Sequence, residues 1–420
     1  MPHIGDAQTT PARDTLFMTL DSCLSYAYSH NITVQTSVLD QAGSEAAYQG
    51  AIARFTPSLS ASASENASFR DGTSTLDGNY GVNASLTLFN GFNNLNNLRS
   101  ADLTRQQSTL RIQQSQNNIG SQIISAYLTI VMSNERMAYL QEVLRTTGQQ
   151  KQEGELKYSV GRLLESEYLL LEANYVNALN NIEDLRLTIE SNLLTLRSLL
   201  CMTDNRVIGV DTAYRSLDTR SAILPQRDSA VAMSLRHLPD LRISQLGVDI
   251  AQLNVKMSAS SFYPTLTLGG GASYYGGNSN VVNDQGTLVT QGGINGNASL
   301  SLNIPILNRG TSRQQYKQSK IQLQEAQLQH SQTAIDLQSK VEGQYISVQQ
   351  SLGKFASSEA LMNAYRANYD VYVIKYEQGA VTTVDMLQQQ DRYMSALNDY
   401  LQNKYSYILQ EKLLKIYMGD

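Results

Sequence analysis

An internal duplication is the feature that most constrains how this chain folds. Residues 157–161 read KYSVG and residues 375–379 read KYEQG, and the second motif follows the first at a distance of 218 residues. The same offset pairs Tyr127 with Tyr345, well outside the motif. A repeat of this length predicts two similar halves that share one architecture, in place of two unrelated domains.

Each copy of the motif lies where one long helical pattern ends and the next begins. Gly161 and Gly379 can supply the positive φ angle that the C-terminus of a helix commonly needs. The sequence therefore predicts that each copy is the tip of a helical hairpin. One tip taken alone is explained more simply as a structural turn between antiparallel helices. Function must therefore be inferred from the whole structure that the duplication builds.

Composition excludes a nucleic-acid-binding role and a membrane-spanning helix. The net charge is −5, from 32 basic and 37 acidic residues, and no basic stripe is present. No run reaches the roughly 18 to 20 apolar residues of a membrane helix, so only strands could carry this chain across a bilayer. The first residues lack the regions of a secretory signal, which fits a cytoplasmic chain or one given without its signal.

The chemistry-bearing side chains form no catalytic or metal-binding set. Cys23 and Cys201 fit no metal or redox spacing, and we expect two small buried side chains, with a disulfide as the alternative in an oxidising compartment. The four histidines have no acidic or histidine partner at ligand spacing. Gly269, Gly270 and Gly271 lie in a strand pattern and open no helix, unlike a phosphate loop. We therefore predict no enzyme, no cofactor and no metal.

Each half contains a segment in which the hydrophobic period changes from 3.6 to 2. Helical patterns over residues 21–54 and 228–261 end at Phe-x-Pro, where proline stops a helix. Apolar residues then alternate with small polar ones over residues 55–90 and 262–308, which predicts a two-stranded hairpin in each half. Such strands fit a soluble sandwich or a barrel with lipid outside and water inside, and the small polar face favours the barrel. The residues expected to face lipid are Leu86, Leu88, Leu300 and Leu302.

After each hairpin comes a very long helical pattern. The first, over residues 93–152, would be about 90 Å long if unbroken, and its apolar positions follow coiled-coil spacing. Four strands cannot close a barrel and such helices cannot bury a seam alone, so we expect several chains to form one tube. The predicted divisions are an extended N-terminal segment at 1–20, a helical part at 21–54, 91–201, 228–261 and 309–417, strand hairpins at 55–90 and 262–308, and a polar connector at 202–227.

Together these features resemble the TolC-like outer-membrane channel family over almost the whole chain. The matching motifs are Leu-Phe-Asn-Gly (88–91) and Leu-Asn-Arg-Gly (307–310) after the hairpins, and Tyr-Ser-Val-Gly (158–161) and Val-Asp-Met-Leu (384–387) around the tips. The resemblance implies an α+β membrane channel: a homotrimer with a 12-stranded transmembrane β-barrel, four strands per chain, continuous with a periplasmic α-helical barrel. The connector and parts of both termini would form an equatorial belt.

The resemblance also implies a function and its partners. The chain would be the passive exit duct of a tripartite efflux pump or type I secretion system, in the outer membrane of a Gram-negative bacterium and surrounded by its lipids. A periplasmic adaptor (membrane fusion) protein would dock to it, and an inner-membrane RND or ABC transporter would supply the energy. The alternative is a trimeric coiled-coil surface or structural protein, similar to an adhesin, which would explain the long helices but not the duplicated hairpins.

The candidate gate residues lie at the two tips. Glu167 and Asp385 occupy the same repeat position, and in a ring of chains each acid would recur around the axis and focus a negative potential. Taken on one helix, both are ordinary solvated acids. The resemblance implies a hydrogen bond from Tyr376 to Glu167 and a pore constriction at Asp385, with Gln388 where a second acid often follows; Val381 replaces a basic residue common in the family. The expected adaptor contacts are Tyr158, Gly161, Arg162 and Gly379.

Overall fold

The fold is known from a computed structural model of the chain, which describes residues 15–70, 73–203, 207–211, 224–282 and 288–419. The predicted N-terminal segment and connector therefore lie partly outside the described residues, as do the two hairpin turns. The chain divides into two compact units. The helical unit comprises Met1–Ser37, Ile112–Pro239 and Ile335–Asp420, and the strand unit comprises Val38–Arg111 and Asp240–Ala334.

The order of elements repeats in the two halves. Helices α3 and α7 both contain 67 residues, and each follows a strand hairpin and precedes a returning helix. Within the described part of the chain, no helix is long and apolar enough to cross a bilayer. The elements are β1 (Thr15–Met18), α1 (Leu20–His30), α2 (Ile32–Ala53), β2 (Ser58–Arg70), β3 (Thr73–Asn90), α3 (Asn93–Ser159), α4 (Glu165–Leu199), β4 (Val207–Val210), α5 (Arg227–His237), α6 (Pro239–Ala259), β5 (Thr265–Val282), β6 (Leu288–Asn303), α7 (Thr311–Glu377) and α8 (Thr383–Met418).

The two hairpins join into one antiparallel sheet with the strand order β2-β3-β5-β6. Its register confirms the predicted alternation, because Leu86 pairs with Leu268, which pairs with Leu300 in turn. The neighbouring row on the other face joins Ser85 to Gly269. The sheet thus has one apolar face and one face of small polar residues. Two of the four leucines expected to face lipid, Leu300 and Leu302, are more than 60% exposed.

A β-bulge alters the apolar face near the end of β3. Strict alternation would place Leu88 opposite Leu266, but the register shifts after Thr87, so that Phe89 pairs with Leu266. The bulge adds one residue to β3, and Phe89 instead of Leu88 takes the paired place in this apolar row. Leu88 nevertheless remains 49% exposed.

The turn that leads from each hairpin into its long helix uses two successive residues in the left-handed region. These are Gly91 and Phe92 before α3, with φ of 64° each, and Arg309 and Gly310 before α7, with φ of 56° and 80°. A Cβ atom on Gly91 would lie 2.8 Å from the carbonyl oxygen of Ser260, whereas one on Gly310 would meet nothing within 4 Å. Gly91 is therefore required by both conformation and close packing, and Gly310 by conformation alone.

The helical pattern before each hairpin is interrupted once, and the predicted continuous helix is wrong in both halves. At the first break, the Asn31 side chain donates from Nδ2 to the carbonyl oxygen of Leu199 (2.7 Å) and accepts at Oδ1 from the amide of Thr33 (2.9 Å). At the second, Leu238 is extended because it precedes Pro239, which begins α6. The asparagine break depends on a partner 168 residues away, which the local pattern does not show.

Two equivalent tyrosines attach the connector to the long helices of the helical unit. The hydroxyl of Tyr127 donates to the carbonyl oxygen of Asp211 (3.0 Å), just after β4, which pairs in parallel with β1. The hydroxyl of Tyr345, 218 residues later, donates to the carbonyl oxygen of Pro225 (3.1 Å). The pair recognised from the duplication therefore has the same role in both halves. Neither cysteine forms a disulfide: Cys23 is fully buried, and Cys201 is half-buried.

A buried ion pair joins α3 to α8 in the helical unit. Lys404 Nζ lies 2.9 Å from both carboxylate oxygens of Glu135, and the hydroxyl of Tyr405 donates to Glu135 Oε2 at 2.5 Å. All three side chains are buried. Three charge-assisted hydrogen bonds to one carboxylate fix the register of the two helices at this level.

Candidate functional site

The first helical tip is closed by a Schellman motif, which satisfies carbonyl groups at the end of α3. Gly161 adopts φ +71°, its amide donates to the carbonyl oxygen of Tyr158 (2.9 Å), and the amide of Arg162 donates to that of Lys157 (2.8 Å). No atom lies within 4 Å of where a Cβ on Gly161 would stand. Glycine is therefore needed here for the left-handed backbone, as predicted.

The second tip has the same geometry at the end of α7. Gly379 adopts φ +71°, its amide donates to the carbonyl oxygen of Tyr376 (2.9 Å), and the amide of Ala380 donates to that of Lys375 (2.8 Å). Space around Gly379 is again open. The two copies of the motif thus form the same helix ending, and both predicted helical hairpins are present.

The helices that leave the tips begin differently, and Asp385 explains the difference. The side chains of Thr382 and Asp385 form a capping box at the start of α8: the amide of Asp385 donates to Thr382 Oγ1 (3.2 Å), and the amide of Thr382 donates to Asp385 Oδ2 (3.1 Å). The Thr382 hydroxyl also donates to Asp385 Oδ2 (2.7 Å). These bonds from the hydroxyl and backbone of Thr382 lower the pKa of the exposed Asp385 carboxyl.

The equivalent helix of the first tip has no such cap. Leu164 stands at the N-cap of α4, forms no side-chain cap hydrogen bond and is 69% exposed. Glu167 is the third residue of α4, as Asp385 is of α8, so the two acids keep the same position in the repeat. The repeat offset predicted this equivalence. The capping box was not predicted, although Thr-x-x-Asp before a helical pattern is its signature.

An open groove of about 640 Å³ lies between the two tips and is lined by acidic and basic side chains. Lys157 Nζ stands 5.2 Å from the centre of the Tyr376 ring. Tyr376 and Glu167 both line the groove, but no hydrogen bond joins them among the described residues. The groove is also lined by Arg162, Glu377, Gly379 and Asp385. Three of the four predicted gate residues, Glu167, Tyr376 and Asp385, therefore line one groove, whereas Gln388 is not among its lining residues, and the predicted Tyr376–Glu167 bond does not form.

Beneath the groove, the core of the hairpins contains side-chain amides as well as apolar groups. Asn174 donates to Gln390 (3.1 Å) and Asn368 to Gln389 (2.8 Å), which links α8 to α4 and α7. Gln388, predicted to line the pore, is exposed beside these two buried glutamines. The residues expected to contact an adaptor, Tyr158, Gly161, Arg162 and Gly379, are all exposed.

Comparison with known proteins identifies the class. The family model for outer membrane efflux proteins matches residues 23–201 and 230–420, so the chain belongs to the outer membrane efflux protein family. This confirms the TolC-like resemblance and places the protein in the outer membrane.

Among curated proteins, the chain is 21% identical over 315 residues to the outer membrane efflux protein BepC of Brucella suis biovar 1 (strain 1330). That match covers 75% of this chain and 66% of BepC, so it spans slightly less than two thirds of the relative. Among solved structures, CusC superimposes with a TM-score of 0.81 at 16% identity and covers 98% of this chain and 95% of its own. VceC of Vibrio cholerae has a TM-score of 0.75 at 16% identity, and the match covers 95% of this chain and 96% of VceC. These similarities confirm the fold of long helices and a four-stranded antiparallel sheet.

Proposed function

We propose that this protein is the outer-membrane exit duct of an efflux pump. The observation that carries the proposal is a sheet with one apolar and one small polar face in the same chain as two closed helical hairpins. The apolar face suits hydrocarbon and the polar face suits a water-filled interior. The alternative, a coiled-coil surface protein, does not explain such a sheet.

The sheet needs neighbours to close, and copies of the same chain supply them in this proposal. Its outer strands are β2 and β6, so an antiparallel partner can pair at either edge. A strand edge in hydrocarbon leaves backbone groups without hydrogen bonds, which is too costly for an open sheet in a bilayer. Three chains with four strands each form a 12-stranded barrel, which supports the homotrimer.

The helical tips form the periplasmic entrance in the proposed duct. Tyr376, Glu167, Gln388 and Asp385 constrict it, and the exposed Tyr158 and Arg162 meet the periplasmic adaptor protein. An inner-membrane RND or ABC transporter provides the energy, and the duct itself performs no chemistry. Because the capping box fixes the start of α8, we propose that it helps to hold the entrance closed.

Conductance of the purified full-length chain in planar bilayers tests the proposal. The wild type should insert in discrete conductance steps, and Thr382→Val should enlarge them, because it removes the cap that orders the start of α8. Thr188→Val is the matched control, since its hydroxyl donates only to the Asp184 carbonyl oxygen within α4. A wild type without conductance steps would contradict the proposed duct.

Photocrosslinking tests the proposed partner. A photoreactive amino acid in place of Tyr158 should capture a membrane fusion protein in intact cells, identified by mass spectrometry. The same amino acid in place of Thr188, exposed on α4 away from the tip, is the control. Capture of the same protein from both positions, or of none from Tyr158, would contradict adaptor docking at the tips.

A further inference from the structure

The polar face of the sheet is almost free of charge. Five successive rows lead along it from the row of Ser85 to the row of Asp77. In these rows the described side chains on this face belong to serine, asparagine and tyrosine, apart from the glycines, and Asp77 is the one charged residue among them. The next charged residue in the same register is Arg70, which pairs with Thr73 two rows beyond Asp77. Asp77 is exposed, and it pairs with Asn66 on one side and Gly277 on the other.

Gly277 leaves room for the Asp77 carboxylate. A Cβ atom at Gly277 would collide with Asp77 Oδ1, so a larger residue on this paired position would displace the acid. The carboxylate therefore lies over the neighbouring strand, on the polar face.

A second acid stands at the same level on the opposite face. Glu65 is paired with Gly78, the residue next to Asp77, and successive residues of a strand point to opposite faces. Its carboxylate accepts a hydrogen bond from the hydroxyl of Tyr80, which belongs to the apolar face. The sheet thus supplies two carboxylates that are adjacent in position but separated by the sheet itself.

We propose that Asp77 is the fixed charge of this part of the duct and makes it favour cationic over anionic solutes. The inference rests on the proposed function, because the polar face is an inner wall only in a duct. Glu65 lies outside that wall and contributes little to the potential inside. Within these five rows, no other acidic or basic residue competes with Asp77.

The size of the effect follows from Coulomb's law. A residue two positions along the strand is about 7 Å away. At that distance, one carboxylate in water at about 0.1 M salt changes the local ratio of monovalent cations to anions by about threefold. Equivalent carboxylates from further chains increase the ratio. At about 1 M salt the Debye length is only about 3 Å, and the ratio should approach one.

A cysteine reporter measures the electrostatic potential beside Asp77 directly. The measurement does not depend on where the duct is narrowest. Asn79→Cys places a thiol on the polar face, in the row next to Asp77. Cys201→Ala removes the half-buried native thiol, and the fully buried Cys23 can stay, because burial raises the pKa of its thiol to about 11. The reaction rates of cationic and anionic methanethiosulfonate reagents of equal size are then compared.

Three versions of the reporter protein decide the question, each checked for wild-type conductance steps. The cation-to-anion rate ratio should fall about threefold in Asp77→Asn and stay unchanged in Glu65→Gln. In preparations that conduct, an unchanged cation-to-anion rate ratio in Asp77→Asn, or an equal fall in Glu65→Gln, would overturn the inference. Neither result would contradict the proposed duct. Absence of conductance in the wild type would instead contradict the proposed function.

Discussion

The buried ion pair of Glu135 and Lys404 allows a quantitative prediction of how substitutions change the free energy of unfolding. Glu135→Leu removes the carboxylate that lies 2.9 Å from the buried Lys404 ammonium. Removing one member of a buried ion pair typically costs about 3 to 5 kcal/mol, because the remaining charge keeps its desolvation penalty. We expect Lys404→Met to cost a similar amount for the same reason.

The double variant should recover most of this loss. Replacing a whole buried ion pair by apolar residues of similar size is often neutral or stabilising. The Tyr405 hydroxyl also loses Glu135 as acceptor, so we expect Glu135→Leu with Lys404→Met to cost about 1 to 2 kcal/mol. The coupling free energy between the two sites should therefore be several kcal/mol.

Unfolding by guanidinium chloride in detergent micelles, followed by far-ultraviolet circular dichroism, provides the measurement. A matched control is the exposed pair of Glu142 and Arg145 on α3, whose carboxylate and guanidinium are 2.5 Å apart. Its coupling should be much smaller than that of the buried pair, because water and salt screen surface pairs. Additive losses at Glu135 and Lys404 would refute the idea that the two charges compensate each other inside the protein.

The remaining predictions concern the turns, the sheet faces and the second tip. Gly91→Ala should lower the melting temperature more than Gly310→Ala, because both lose a left-handed glycine but only Gly91 packs against backbone; equal losses would refute the packing argument. Leu300→Arg should cost about 2 to 4 kcal/mol of stability in lipid bilayers, and Asn297→Arg on the other face much less. Because hydrogen bonds lower the folded pKa of Asp385, the ionised carboxylate should stabilise the start of α8 at neutral pH, and this stabilisation should be lost as the pH falls below 3.8. Conductance measured as a function of pH can follow the loss. Asp385→Asn should also reduce cation selectivity, measured as the reversal potential across a salt gradient. An unchanged reversal potential would show that Asp385 does not line the pore.

The sequence predicted those parts of the fold that depend on short-range patterns. Alternation located both hairpins, and the register that pairs Leu86 with Leu268 keeps the predicted faces. The glycines of the repeated motif predicted both helix endings, because a Schellman motif requires a left-handed residue at that point.

The features that the sequence did not reveal depend on distant partners. Asn31 ends a helix by binding the Leu199 carbonyl group, and Glu135 meets Lys404 across 269 residues. The predicted bond from Tyr376 to Glu167 came from family resemblance, and the described residues do not form it. The spacing of Thr382 and Asp385 is sufficient to predict the capping box, whereas the place of Asp385 in the repeat predicts only a pore charge.

The proposed duct requires that one face of the sheet meets lipid while the other meets water. Single cysteines at successive positions of β6, from 297 to 302, can be labelled with an environment-sensitive fluorophore in lipid vesicles. Such a sheet should give a period of two: brominated lipids should quench the labels at positions 298, 300 and 302, and aqueous iodide should quench those at 297, 299 and 301. Quenching by iodide at all six positions, with none by brominated lipid, would contradict a lipid-facing sheet.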